Sequence, residues 1–328
     1  MPVRRLWRKR RRWTIVTYIV LVLTILLFIV PYLIPLGKGR ANVPPEALIR
    51  ENGRFLDIDG ASIYVEEDNP EASGQVIVLI HGLGGSTFSW RHNARFFADR
   101  GYRVVSLDLK GFGLSHKDLR SDYSHPAQAE LVADVLSHMG VEQAYIVGHS
   151  MGTSVMLHLA HLYPGRVLGL ISVAGAVGVH DRSSALGTIL RFPPFTRAGE
   201  VFLTRYATRE RARTILESAY HRDMVTDEVF GGYYNRIVAG RWAGSLLAMT
   251  RDMRRSAVTF ALEDLDFPTL IIWGEYDTWV SRAAVDRWKD RIPSAEFHVM
   301  PGVGHLPMEE DPDSFNSTVL AFLESRRE

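Results

Sequence analysis

Six short, almost continuously apolar runs limit what this chain can become. They read QVIVLIH (75–81), RVVSLDL (103–109), QAYIVGH (143–149), VLGLISVAG (167–175), TLIIWGE (269–275) and EFHVMPG (296–302). Most are rich in β-branched residues and too short for an ordinary helix, the pattern of strands buried on both faces of a parallel sheet. Amphipathic stretches such as HPAQAELVADVLSHMG and SRAAVDRWKDRI separate them. The order is therefore β, α, β, α, which predicts an α/β fold with helices on both sides of the sheet. The rhythm breaks once. From Val179 to Asp266 no buried strand is legible, and helical patterns such as AGEVFLTRYATRERARTILESAY dominate, with 13 Arg and no Lys. An insertion of this size reads as a helical cap rather than a loop. Its arginines either face anionic lipid headgroups or form ion pairs on a solvated helical face.

The N-terminus is a separate unit. Residues 1–13, MPVRRLWRKRRRW, carry seven basic residues, and Thr14 to Leu36 then runs 23 residues without a charge. A helix needs roughly 20 apolar residues to cross a bilayer, whereas a signal-peptide core has about 7–15 and ends at a small-residue site. No such site follows here, so 14–36 is expected to be an uncleaved transmembrane signal anchor. The basic cluster places 1–13 in the cytoplasm and everything after the anchor on the far side. Residues 37–53, with paired prolines, read as a linker. Residues 1–40 hold nine of the 38 Lys+Arg and none of the 37 Asp+Glu, which leaves 29 basic against 37 acidic residues, a net of −8, for the remainder. That balance argues against nucleic-acid binding. The chain has no cysteine, so disulfides, thiolate catalysis and cysteine-ligated metals are excluded.

Function is written at strand ends. VGHSMGTS (147–154) sets glycines two residues either side of Ser150, as a sharp strand-to-helix turn presenting one side chain requires. A serine hydroxyl needs a base, and the base needs an orienting group. WGEYD ends one strand with Glu275 and Asp277, and His305 follows the next in PGVGHLPMEE. The order Ser150, Asp277, His305 is one this triad takes. Backbone amides must also meet the developing oxyanion. Met151, opening the helix after the turn, supplies one, and Leu83 in HGLGGSTFSW (81–90) is the candidate for the other. His81 and His149 are expected to tie the turns around the site, and Asp108 to fix the turn KGFGLS. Glu309 is read as a supporting or helix-start charge. Trp90, Phe112 and Trp279 either line a substrate pocket or pack in the core.

HGLGGS, LDLKGFGLS, GHSMG and the pair WGEYD…GHLPMEE, in that order over residues 54–328, resemble the α/β-hydrolase superfamily in its lid-bearing serine esterase and lipase-like branch. The resemblance implies a mostly parallel eight-stranded sheet, with a cap (179–266) inserted between a first core part (54–178) and a second (267–328). It implies Ser150 as nucleophile, Asp277 rather than Glu275 as acid, His305 as base, and no metal or cofactor. Serine at the elbow departs from haloalkane dehalogenases and epoxide hydrolases, which use aspartate there. The expected reaction is carboxylic-ester hydrolysis through an acyl-enzyme, with a small-molecule or lipid ester such as a monoacylglycerol reaching the enzyme from the membrane. Two alternatives stand. One is a carbon–carbon bond hydrolase of ring-cleavage dienones, a branch that shares GFGLS and SMG but has HGxGPG where this chain has HGLGGS. The other is a hydrolase-like protein that binds a ligand without turnover.

Overall fold

The computed structural model describes residues 2–36, 43–175 and 185–326. Eight strands form one sheet: β1 (Gly53–Ile58), β2 (Ala61–Asp68), β3 (Val76–Ile80), β4 (Arg103–Leu107), β5 (Ala144–His149), β6 (Val167–Val173), β7 (Thr269–Gly274) and β8 (Glu296–Met300). Their order is β1-β2-β4-β3-β5-β6-β7-β8. From β4 to β8 every pairing is parallel, while β2 runs antiparallel to both β1 and β4. The six apolar runs are β3 to β8. In the middle of the sheet Val78 pairs with Val105 on one side and Ile146 on the other, and all six residues of β5 are buried.

The helices are α1 (Pro2–Phe28), α2 (Val30–Leu33), α3 (Ala94–Ala98), α4 (His125–His138), α5 (Met151–Leu162), α6 (Ala185–Ile189), α7 (Pro193–Tyr206), α8 (Arg209–Glu217), α9 (Asp227–Ile237), α10 (Trp242–Asp252), α11 (Arg282–Arg291), α12 (Pro307–Glu310) and α13 (Pro312–Glu324). Two hydrophobic clusters sandwich the sheet. One gathers Leu131, Val132 and Leu136 of α4, Leu157 and Leu159 of α5, and Trp288 of α11. The other gathers Phe97 of α3, Phe315 and Phe322 of α13, and Phe230 and Tyr234 of α9. Apolar stripes on both faces of one sheet are the layering that the α/β alternation predicts.

Helices α6 to α10 lie between β6 and β7. The expected start of the cap at Val179 falls outside the described residues, as do linker residues 37–42. The cap arginines are largely engaged with protein: Arg241 grips buried Glu200 with two bonds of 2.7 and 2.8 Å, Arg251 pairs with Asp252, Arg255 with Asp122 and Asp252, and Arg213 with Asp227. The ion-pair account of the cap's charge therefore holds for these residues.

Arg11–Leu33 is a 23-residue span, largely exposed and long and apolar enough to cross a membrane. The helix continues back through the basic segment to Pro2.

The hairpin β1–β2 is absent from the six runs, for a physical reason. Its outer strand β1 is the sheet edge, with Arg54, Phe55 and Asp57 exposed, and in the inner strand β2 the short apolar run Ile63–Val65 gives way at once to Glu66, Glu67 and Asp68. Its turn is Asp59–Gly60, with φ of 51° and 77°, the paired left-handed conformation that a two-residue hairpin requires. Gly60→Ala puts a Cβ on the second of these. It is expected to cost about 1–2 kcal/mol in chemical denaturation and to leave chemistry at the distant strand ends unchanged.

Candidate active site

The turn between β5 and α5 is tightly packed. Ser150 sits there at φ 50° and ψ −114°, a conformation that an L-residue holds only where its surroundings over-determine it. A Cβ on Gly148 would lie 2.6 Å from the Gly152 carbonyl oxygen, and one on Gly152 would lie 2.6 Å from the carbonyl oxygens of both Ile80 and His81. The glycines flanking Ser150 therefore let the helix, its strand and the end of β3 meet backbone to backbone. The Ser150 amide donates to Val173 O of the neighbouring strand, which fixes the turn at the carboxyl end of the sheet.

His305, in the loop after β8, is buried. Its Nδ1 donates to Asp277 Oδ2 at 2.8 Å, and its own amide donates to Ala219 O of the cap. Asp277, after β7, is held by the amides of Trp279 and Val280, both on Oδ1 at 2.8 and 2.9 Å. Glu275 points elsewhere: it is exposed and accepts from the Gly302 amide. With Nδ1 committed to Asp277, Nε2 is the nitrogen left for a reacting proton. Ser150 and His305 line one cavity. Among the described residues no hydrogen bond joins the Ser150 hydroxyl to His305, a bond that in such sites commonly tightens only around substrate.

Leu83, Ser150 and His305 border that cavity together, and the amides of Leu83 and Met151 donate to no protein acceptor among the described residues. Met151 also opens α5, where the helix places partial positive charge. His81 and His149 brace this arrangement. His81 Nδ1 donates to Gly82 O and Nε2 accepts from the Leu109 amide, while His149 Nε2 donates to His305 O. Burial lowers the pKa of both rings, so they stay neutral, as these donor and acceptor roles require. Asp108 accepts from the Thr87 amide in the HGLGGSTFSW turn and the Leu114 amide of KGFGLS, joining two of the motifs.

Two cavities flank Ser150. The smaller, about 100 Å³, is walled by the cap through Ile215, Leu216, Phe230 and Ile237. The larger, about 400 Å³, runs past Phe112, Met249 and Trp279 to polar groups on Gln128, Ser256 and Arg287. Phe112 and Trp279 thus line a cavity, and the Trp279 ring stacks on His305 with centroids 5.3 Å apart. Trp90 does not. It is fully buried beside Phe315 in the core and borders neither cavity, so its reading as a pocket residue is corrected to core packing: β3 and its turn aim its neighbour Ser89 at the cavity instead.

A buried cluster escaped the sequence reading. Glu309 receives Arg91, the Tyr220 hydroxyl at 2.6 Å and the Tyr233 hydroxyl, and Tyr233 also bonds Ser89 at 3.0 Å. Burial, reinforced by Glu309, raises both phenol pKa values, which keeps them as proton donors to the carboxylate. Its neighbour Glu310 accepts from the Gly304 amide and from the amides of His221 and Arg222 in the cap. Apart from the Gly304–Glu310 bond, these contacts close across more than 75 residues of chain, so only the tandem acids after His305 could have hinted at them.

The model of the alpha/beta hydrolase fold family matches residues 75–312, most of the chain. The chain belongs to the α/β-hydrolase family. Relatives of this α/β hydrolase include an uncharacterised hydrolase, YugF, of Bacillus subtilis (strain 168), 27% identical over 275 residues that span 82% of this chain and 97% of that one. Another is a 2-hydroxy-6-oxononadienedioate/2-hydroxy-6-oxononatrienedioate hydrolase of Paraburkholderia phymatum, 28% identical, with 80% of this chain and 92% of that one covered. Among solved structures, a membrane phospholipase A superposes with a TM-score of 0.68 at 24% identity, covering 97% of this chain and 99% of that one. The last likeness concerns fold, and its coverage takes in the N-terminal helix as well as the hydrolase body.

Gly152→Ala tests the elbow. The added Cβ has only backbone to strike, so the substitution is expected to destabilise the fold by about 1–3 kcal/mol and to lower turnover by displacing Ser150. Chemical denaturation and rate measurement on the same preparation check both effects.

Proposed function

We propose that this α/β hydrolase is a membrane-anchored serine hydrolase of lipophilic carboxylic esters, with α1 as an uncleaved anchor, the basic segment in the cytoplasm and the catalytic body on the far side. The observation that carries the chemistry is the meeting at one cavity of a strained Ser150, a His305 ring oriented by Asp277 and the uncommitted Leu83 amide, with the uncommitted Met151 amide following Ser150 in the chain. His305 Nε2 takes the proton of Ser150 as Oγ attacks the ester carbonyl. The oxyanion is received by the amides of Leu83 and Met151, and His305 protonates the departing alcohol. Water, activated by the same ring, then frees the acid from Ser150. Asp277 holds the imidazole with Nδ1 protonated and stabilises the imidazolium.

The cap wall of Ile215, Leu216, Phe230 and Ile237 offers an acyl chain an apolar lining and excludes water. The anchor favours an ester drawn from the bilayer, of the monoacylglycerol kind.

A second reading has its own support. The relative from Paraburkholderia phymatum is by name a hydrolase of 2-hydroxy-6-oxononadienedioate and 2-hydroxy-6-oxononatrienedioate, and the larger cavity, with Gln128 and Arg287, offers polar groups to an acidic substrate. Against it stands the oxyanion turn, HGLGGS rather than HGxGPG.

Hydrolysis of an ester series from acetyl to long acyl by the full chain, alongside turnover of a ring-cleavage dienone, separates the readings. Ester turnover that peaks at medium or long chains and vanishes in Ser150→Ala is the expected result. Dienone turnover without ester turnover would install the second reading, and no turnover of either by folded protein would favour a ligand-binding role. Asp277→Asn is expected to lower the rate on the order of 10⁴-fold by favouring the wrong imidazole tautomer, with Glu275→Gln near wild type. The reverse pattern would move the acid to Glu275.

A further inference from the structure

Cap helix α7 carries aromatic surface that the hydrolase body leaves uncovered. Phe192, Phe202 and Tyr206 are 61, 59 and 57% exposed and Phe195 is 37% exposed. Positions 195, 202 and 206 fall on one side of a 3.6-residue helix, and the rings of Phe202 and Tyr206 stack with centroids 4.8 Å apart. The opposite side of α7 is buried through Glu200, which Arg241 at the start of α10 grips. A fixed helix whose outward face is aromatic is exceptional for a surface that meets only water.

What covers that face is indicated by where α7 is tied. Its Arg197 donates to the carbonyl oxygens of Pro31 at 3.0 Å and Ile34 at 2.7 Å, and its guanidinium lies 6.0 Å from the Tyr32 ring. These residues stand at the exit of the Arg11–Leu33 span, the level at which a crossing helix leaves the hydrocarbon. Helix α7 also packs on α1 and α2. The aromatic face therefore begins beside the point where the anchor emerges. Exposed Arg191 and Arg205 border it, and neither pairs with a carboxylate among the described residues. Aromatic rings beside free guanidinium groups are the composition of helices that lie in the plane of a membrane interface.

We propose that the segment Phe192–Tyr206 is a second membrane contact, seated at the headgroup–acyl boundary of the bilayer that α1 crosses, so that the cap faces the lipid. This rests on the reading of α1 as a retained anchor. The two contacts together fix the catalytic body in tilt as well as position, because one helix end alone acts as a swivel. The next helix, α8, brings Ile215, which both walls the apolar cavity and remains 60% exposed.

The chain has no cysteine, so single substitutions label at one position. Phe202→Cys, Tyr206→Cys, Leu23→Cys and Glu71→Cys of the full chain, each carrying a nitrobenzoxadiazole probe, are reconstituted in phosphatidylcholine–phosphatidylglycerol vesicles. Probes at 202 and 206 are expected to be quenched by lipids with a shallow doxyl group and to be at least about fivefold less quenched by aqueous iodide than the probe at 71. The probe at 23 is expected to be quenched by deep doxyl lipid. Iodide quenching at 202 and 206, with lipid quenching at 23, would overturn the second contact while the anchor stands. Shielding of 202 and 206 from both quenchers would also overturn it, because another protein surface, a second copy of this chain included, would then cover the face. Lipid quenching at none of the positions would overturn the anchor and this contact together.

Discussion

Backbone-to-backbone contact at the β5–α5 turn is the constraint from which the rest of the site follows. Gly148 and Gly152 admit the carbonyls of Ile80 and His81 and the first turn of α5 to distances that no side chain allows. That closeness holds Ser150 in its positive-φ conformation and sets the turn after β3 beside the start of the helix. The strain is sustained by the sheet around it: β5 is wholly buried between β3 and β6, so the turn has no easier conformation to relax into. A hydroxyl, a helix N-terminus and two uncommitted amides are thereby placed together before any substrate arrives, the preorganisation on which charge stabilisation in a transition state depends.

The second half of the site is organised by buried acids. Asp277 spends one oxygen on its own turn and the other on His305, so the loop geometry after β7 becomes ring orientation after β8. Glu309 and Glu310 extend the same logic to the cap. Glu309 collects Arg91 from the core with Tyr220 and Tyr233 from the cap, and Glu310 collects amides from the His305 loop and from His221 and Arg222. Buried carboxylates of this kind are tolerated because each is fully partnered, and loss of any partner would leave an expensive unpaired group. The cap is thus joined to the core at the loop that carries His305, which couples the apolar cap wall of the cavity to that ring.

Much of this was legible because the signals are local. The strands β3 to β7 are nearly contiguous apolar runs because both their faces are largely covered, and the elbow's glycine spacing lies within eight residues. The hairpin β1–β2 was less legible, because β1 is a partly exposed edge strand and the apolar run of β2 is only three residues long before its acidic end. Trp90 illustrates a different limit. A tryptophan beside the oxyanion turn reads equally as pocket wall or core, and only the packing of Phe315 from the far end of the chain decides for core. The arginine-rich cap was ambiguous likewise, until Glu200, Asp252 and Asp227 were seen to engage its guanidinium groups.

By itself the sequence determined the α/β class, the position of the elbow serine, the order of candidate triad residues and the presence of one long apolar segment. Each of these is encoded by periodicity or by neighbours a few residues apart. Only the tertiary structure decided that Asp277, not Glu275, bonds His305, that Glu309 ties cap to core, and that Arg197 pins α7 to the end of the anchor. Those facts depend on which side chains meet across 28, 76 to 218 and 163 to 166 residues of chain. Local pattern says which face a residue prefers, but folding alone chooses the partner it finds there.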